Sequence, residues 1–364
     1  MRLDGAFHAS SRAWIRCNNE MQPKTPPIYA ELARLLADKG TQRINGGVAS
    51  NRTRALAHET LFGFVRELHA GGKFVQHLRN LDASHALWLV THWSQRKIAP
   101  STLAQRMTAL RKLYRWIGKS DALSSAAEHL ASLPDDARRV HYAADKSKAW
   151  TEHDIDVPEA IARADRLDAR FGLMLRMVAA FGLRRSEVLQ CKPWIADRGI
   201  ALRIFPGEAK GGRPREIPIE KPWQRNILDL VKSNLGKTES MGWAQGAGGR
   251  QIQDRARLKY CKGRYARCMR AIGITKDRVG TTGHGLRAEY AENMALIQGV
   301  IPPTLGGRGD QMPADELSAK LRHVSENLGH SRESVTSAYY GSFRQTPAPK
   351  PIAKARKSTR DSKP

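Results

Sequence analysis

Residues 181–187 read Phe-Gly-Leu-Arg-Arg-Ser-Glu and follow an apolar run, from Phe171 to Phe181, that predicts a buried helix. Three more short signatures lie downstream: Ala-Lys-Gly-Gly-Arg at 209–213, His-Gly-Leu-Arg at 284–287, and Leu-Gly-His at 328–330 followed by Tyr-Tyr at 339–340. Between them they supply Arg184, Lys210, His284, Arg287, His330 and Tyr339. Singly, each has a duller explanation. Arg184 and Arg185 fit surface charges, Lys210 a turn lysine, His284 and His330 two of 12 histidines, and Tyr339 a packed aromatic. The information lies in their joint occurrence, because coincidence would have to match residue type, order and local backbone context together.

Outward from these signatures the pattern is helical with one hairpin. Ile200, Leu202 and Ile204 alternate, a Gly-rich stretch carries Lys210, and Ile217 and Ile219 alternate again, which predicts strand, turn and strand. Thr151-Glu-His-Asp predicts a helix start. Residues 251–270 hold Arg255, Arg257, Lys259, Lys262, Arg264, Arg267 and Arg270 against one acid, Asp254, which suits a helix facing a polyanion. From Pro26 to about Leu133 apolar residues recur at helical spacing. Leu103, Met107, Leu110, Tyr114 and Ile117 mark one such helix, with Ser101 or Thr102 as N-cap and Gly118 as stop. Its other side carries Arg111, Arg115 and Lys119 at i, i+4 and i+8, a stripe that could follow a phosphate backbone, although such a stripe is more often only a solvated face. Trp88, Trp93 and Trp116 lie among apolar neighbours and fit a core better than base-stacking platforms.

The expected division of the 364 residues is an N-terminal arm at 1–25, a helical domain at 26–133, a linker at 134–148, a second domain at 149–343 and a basic disordered tail at 344–364. The linker lacks a sustained apolar period, and the tail combines prolines with Lys and Arg. Lys and Arg outnumber Asp and Glu by 61 to 35, a net charge of +26 with a pI near 10.4. A polyanionic partner follows, since each neutralised phosphate releases condensed counterions, but charge alone fits a ribosomal protein equally well. Cys17, Cys191, Cys261 and Cys268 are too few and too irregular for a disulfide framework or a zinc site. No apolar run has the length of a membrane span, and residues 1–25 lack the apolar centre of a signal peptide, so a cytoplasmic, nucleoid-associated location is expected.

The six residue types suit metal-free cleavage of a phosphodiester by a side chain, in which negative charge gathers on the non-bridging oxygens and must be met by fixed donors. Arg184 and Arg287 can each offer a planar fork to phosphate oxygens. His284 and His330 can donate hydrogen bonds or move the nucleophile's proton. Ionising a tyrosine at pH 7 costs about 4 kcal/mol unless the site biases it or a base takes the proton. Lys210, on a turn between strands, is the best candidate to protonate the departing 5′ oxygen. Neighbouring residues on a helix point about 100° apart, so only one of Tyr339 and Tyr340 can face the phosphate. A metal-dependent nuclease is disfavoured, because no compact carboxylate cluster is evident. No cofactor is called for.

On these motifs, the chain resembles the tyrosine recombinase (phage integrase) family, and within it the integrases of bacterial mobile elements. The resemblance is specific over about 149–343 and looser before it. In that family an arginine follows Gly-Leu and precedes a helix with an acidic residue three places on, matched by Arg184 and Glu187; the Gly-Leu-Arg context favours Arg184 over Arg185. A turn lysine is matched by Lys210, a His-x-x-Arg by His284 and Arg287, a Leu-Gly-His by His330, and a tyrosine nine residues later by Tyr339. Glu187 would support the site structurally. The resemblance implies a mainly α fold: a helical N-terminal core-binding domain and a mixed, mostly helical catalytic domain with a small antiparallel β-sheet. It implies double-stranded DNA as partner, a homotetramer on two DNA sites, a 3′-phosphotyrosyl intermediate, and accessory DNA-bending or directionality proteins. Integration or excision of a mobile element is the expected task. A chromosome-dimer resolvase, a transposase of the same chemistry, or a non-catalytic DNA-binding protein of the same fold are the alternatives. One departure is the distance from Arg287 to His330, longer than in most members, with an expected surface loop at 301–310.

Overall fold

The chain divides into two units between Val140 and His141. The computed structural model describes residues 26–41, 48–330 and 333–343. The expected arm at 1–25 and basic tail at 344–364 lie outside the described residues, as does Cys17.

The first unit is built from α1 (Pro27–Lys39), α2 (Asn51–Ala70), α3 (Ala83–Gln95), α4 (Pro100–Trp116) and α5 (Ser124–Ser132). Each buries the apolar stripe its sequence carries, around a core that includes Leu32, Phe64, Trp93, Met107 and Tyr114. In α4 the buried positions are Leu103, Met107, Leu110, Leu113 and Tyr114. The helix opens on Pro100 rather than behind a Ser101 or Thr102 cap, because proline's fixed φ and missing N–H suit the first helical position. It also stops at Trp116, so Lys119 does not extend the stripe of Arg111 and Arg115. Lys119 instead donates from Nζ to the carbonyls of Arg79 and Leu81, the latter at 2.8 Å, and ties the loop before α3 to the end of α4. Arg111 and Arg115 are exposed as the stripe requires. Trp93 is fully buried and donates to Glu67 at 2.6 Å, while Trp88 and Trp116 are half-buried against the same core.

The segment expected as a linker contains a helical turn, Asp135–Arg138, held by ion pairs from Arg138 and Arg139 to Asp135. From Ala144 onward it is fastened to the second unit. The Thr151 helix start is only a 3₁₀ turn, Thr151–His153, ended by Asp154 in the left-handed region. The α-helix that follows begins at Val157, where Asp156 caps the N–H of Glu159 at 2.8 Å.

The second unit contains α6 (Val157–Leu167), α7 (Ala169–Phe181), α8 (Arg185–Gln190), the antiparallel pair β1 (Ala201–Ile204) and β2 (Arg215–Pro218), α9 (Pro222–Ser233), α10 (Asp254–Ala271), α11 (Gly285–Ile297), α12 (Ala314–Asn327) and α13 (Glu333–Tyr340). The strands pair Leu202 with Ile217, and both side chains are buried, as the alternation requires. Ile200 does not join them. It lies in the turn before β1 and is 85% exposed. α7 is buried along most of its length and forms the centre of one core, while α11, α12 and α13 close a second one that contains Tyr339 and Tyr340. Cys191, Cys261 and Cys268 are buried free thiols. No helix among the described residues is long and apolar enough to cross a membrane.

Two glycines explain the shapes of the motifs around this second core. Gly182 ends α7 at φ +57°, and a Cβ there would meet the Tyr290 ring at 2.3 Å. Both conformation and packing therefore demand glycine, and the chain turns straight into Leu183 and Arg184. Gly329, at φ +68°, lies so close to Arg215 that a Cβ would sit 2.6 Å from Cδ. It lets the chain reverse after α12 and sets His330 at the site.

Candidate active site

A cleft of about 790 Å³ in the second unit is lined by Lys148, Arg184, Arg185, Lys210, His284, His330 and Tyr339, with Arg270 and Lys276 at the same surface. Five of the six sequence-derived residues therefore line one cavity, and the sixth, Arg287, lies beneath it. Arg287 is completely buried on α11. Its Nε donates to the Tyr339 hydroxyl at 3.0 Å, Nη2 to the Leu328 carbonyl at 2.7 Å, and Nη1 to the Gly182 carbonyl. A guanidinium has five N–H donors and three are used here, and with the side chain fully buried its charge acts on the cleft from beneath. Burial pulls the Arg287 pKa down to about 10, with the Tyr339 side chain opposing the shift, and the group remains cationic at neutral pH.

Arg184 is fixed from behind by Glu187, which is fully buried at the start of α8. The carboxylate accepts from Arg184 N at 2.8 Å and from Arg184 Nη1 at 2.7 Å. Arg215, which sequence reasoning missed, completes the arrangement. Its Nη1 and Nη2 donate to Glu187 at 3.0 and 2.8 Å, and its Nε to the Asn327 carbonyl at 3.1 Å. One buried carboxylate thus joins α8, β2 and the end of α12. Burial opposes its ionisation, but the hydrogen bonds and charge of Arg215, with the charges of Arg184 and Arg287, hold its pKa at about 2. The signal for Arg215 was present in the strand parity: it shares a face of β2 with the buried Ile217, where an unpaired charge would not be tolerated.

The two histidines flank the phenol. Their ring centroids lie 5.4 Å (His284) and 5.5 Å (His330) from that of Tyr339, and the His330 ring is within 20° of parallel to it. His330 Nδ1 is 2.8 Å from Thr336 Oγ1, whose own proton goes to Ser325 Oγ at 2.8 Å. Nδ1 must therefore carry the hydrogen, which leaves Nε2 of a neutral imidazole as the proton acceptor. Burial, followed by the charges of Arg287 and Arg184, lowers the His284 pKa to about 4 and the His330 pKa to about 3. Both rings are expected to stay neutral in imidazole NMR titrations of the DNA-free protein down to about pH 5, whereas unperturbed histidines protonate near 6.5. The unfolded chain then binds protons that the fold refuses, so stability should fall as pH drops from about 6.5 toward about 4. Protonation of both rings near pH 6.5 would contradict this electrostatic description.

Lys210 is exposed in the β1–β2 turn, followed by Gly211 and Gly212 in left-handed conformations. Lys148, also missed, donates from Nζ to the Ala338 carbonyl at 3.2 Å, next to Tyr339. The structure separates the ambiguous pairs. Tyr339 lines the cleft, whereas Tyr340 is 2% exposed in the core of α11, α12 and α13. Arg184 is anchored by Glu187, while Arg185 is exposed at the cleft. The basic residues of α10 divide as well: Arg257 holds the Gly242 and Trp243 carbonyls and Arg264 pairs with Asp168, whereas Arg255, Lys259, Arg267 and Arg270 are exposed. Chemically the cavity can bind a tetrahedral anion among Arg184, Lys148 and Lys210, beside a phenol and two neutral imidazoles and above the buried charge of Arg287.

Known proteins resemble this chain in sequence and in fold. A model described as phage integrase, N-terminal, matches residues 35–123, and one described as integrase matches residues 143–293. The sequence is similar to that of the tyrosine recombinase XerC of Salmonella typhi, 25% identical over 296 residues that span 79% of this chain and 86% of that protein. The XerC of Rhodospirillum centenum is 27% identical over 248 residues, 66% of this chain and 61% of that one. Among solved structures, a lambda integrase tetramer bound to a Holliday junction matches with a TM-score of 0.56 at 13% identity, covering 95% of this chain and 90% of that chain. The Tn1549 transposon integrase in complex with transposon right end DNA matches at 0.53 and 13% identity, covering 85% and 94%.

Proposed function

The chain belongs to the phage integrase (tyrosine recombinase) family, and from that premise we propose that it cleaves and rejoins double-stranded DNA at specific sites through a 3′-phosphotyrosyl bond on Tyr339. The observation that carries the reading is the phenol of Tyr339 hydrogen-bonded to a buried arginine and flanked by two imidazoles in a cationic cleft.

In this mechanism the scissile phosphate enters the cleft and is held by Arg184, with the buried charge of Arg287 beneath it. The phosphate's charge opposes the depression of the histidine pKa values, so His330 Nε2 becomes a stronger base for the phenolic proton. The phenolate attacks phosphorus, the bond to the 5′ oxygen breaks, and Lys210 supplies the proton to that leaving oxygen. Religation runs the same steps backwards, with the energy of the phosphodiester kept in the phosphotyrosyl link and no ATP consumed. Glu187 acts by holding Arg184, without touching the phosphate.

Mobile-element integration or excision is the finer reading. It is supported by the phage integrase and integrase models, whereas similarity to XerC recombinases keeps a chromosomal resolvase as the second reading. Four protomers on two DNA sites would match the assembly in which lambda integrase was solved. Arg111 and Arg115 are proposed phosphate contacts of the first unit. Lys119 is withdrawn from that set, because its amine closes a loop. A nicked suicide substrate tests the chemistry: the protein should become covalently attached to DNA in the presence of EDTA, since fixed cations take the part a metal would play. Attachment abolished by EDTA and restored by magnesium would overturn the mechanism.

A further inference from the structure

We propose that Thr304, acting with Glu292, Ser147 and the carbonyl of Tyr340, positions the helix that carries Tyr339, and that this is one task of the long segment between α11 and α12. The inference rests on Tyr339 being the nucleophile. Residues 301–310 are not the plain surface loop expected of them: Pro302 and Gly307 are buried, and Pro303–Leu305 form a 3₁₀ turn against the end of α13. Thr304 Oγ1 lies 2.8 Å from Glu292 Oε1 and 3.2 Å from the Tyr340 carbonyl. Glu292 is 3% exposed, and its other oxygen accepts from Ser147 Oγ at 2.9 Å. One carboxyl on α11 therefore joins the segment after that helix to the stretch that opens the second unit, and the Thr304 hydroxyl links both to the last residue of α13.

That stretch grips the same helix end. Ala144 N donates to the Ser337 carbonyl at 2.8 Å, and Lys148 Nζ to the Ala338 carbonyl at 3.2 Å. The last carbonyls of a helix have no partner within it, and here those of Ser337, Ala338 and Tyr340 accept from residues outside the helix, on both sides of Tyr339. α13 has only 8 residues, too short to hold its own geometry in water, so its place depends on tertiary contacts, these hydrogen bonds together with the packing of Tyr339 and Tyr340 in the core. Burial raises the Glu292 pKa and the hydrogen bonds from Thr304 and Ser147 oppose the shift, and the one Thr304 hydroxyl lies within reach of both the Glu292 carboxyl and the Tyr340 carbonyl.

The test is the single-turnover rate of covalent attachment to a saturating nicked half-site, with half-site affinity and thermal midpoint measured beside it. Thr304→Val should slow attachment by about 10- to 100-fold, the scale expected when a reacting group is displaced by about 1 Å, while affinity changes less than about twofold. Thr304→Ser, which keeps the hydroxyl, should restore the rate. Ser147→Ala should slow attachment in the same direction, and it decides the question if the valine variant does not fold. Wild-type rates in both variants would overturn the proposal. So would a loss of rate that only follows loss of affinity or of thermal midpoint and is not restored by serine. If the unsubstituted chain never attaches, the reading of Tyr339 itself fails; attachment by the unsubstituted chain and both variants at equal rates removes only the positioning role.

Discussion

Tyr339→Phe is expected to lower covalent DNA attachment by at least about 10⁴-fold, the scale of losing an enzyme nucleophile, while half-site binding stays nearly intact. The substitution removes one oxygen and keeps the ring that packs between His284, His330 and the Arg287 guanidinium, whose carbon lies 5.4 Å from the ring centroid. It also strips Arg287 Nε of its 3.0 Å acceptor at a fully buried site, so a stability loss of about 1–3 kcal/mol should accompany it. Tyr340→Phe should leave attachment in place, because that residue faces the core of α11, α12 and α13. The comparison needs one nicked substrate and a denaturing gel. Attachment by Tyr339→Phe together with its loss in Tyr340→Phe would reassign the nucleophile.

The second large effect falls on Glu187. Glu187→Ala leaves the Arg215 guanidinium, 8% exposed, without its carboxylate, and frees Arg184 from its anchor. Breaking a buried ion pair by removing one partner costs about 3–5 kcal/mol, because the remaining charge is left buried without compensation. Urea unfolding of the full chain should show that loss, and attachment should fall even where the protein remains folded. Glu187→Gln, which keeps the shape and one acceptor oxygen, should cost less. An unfolding free energy within about 1 kcal/mol of wild type for the alanine variant would show that the Arg184–Glu187–Arg215 cluster adds little, as exposed pairs do.

That the six residues meet at one cleft was legible because its geometry is written in local sequence. Gly182 must be glycine for the turn and for Tyr290, Gly329 for the turn and for Arg215, and each is adjacent or nearly so to a residue of the cleft. Long-range pairings left no comparable trace. Arg215 reads as one basic residue among 61 until β2 brings it to Glu187, and Lys119 looks like part of a helical stripe until α4 stops three residues earlier. The hairpin was legible from its alternation, but Ile200 satisfied the same pattern while lying just before the strand begins. Residues 301–310 read as a loop from their Gly and Pro content; the anchoring of Thr304 depends on partners in α11 and α13 that no local pattern specifies.

The central claim, that Tyr339 carries the DNA strand, is tested most directly by trapping the covalent complex, digesting it with protease and nuclease, and locating the residual nucleotide on the peptide by tandem mass spectrometry. A nucleotide joined through its 3′ phosphate to the phenolic oxygen of Tyr339 is the predicted result. A nucleotide on Tyr340 or any other side chain, or one joined through a 5′ phosphate, would contradict the account.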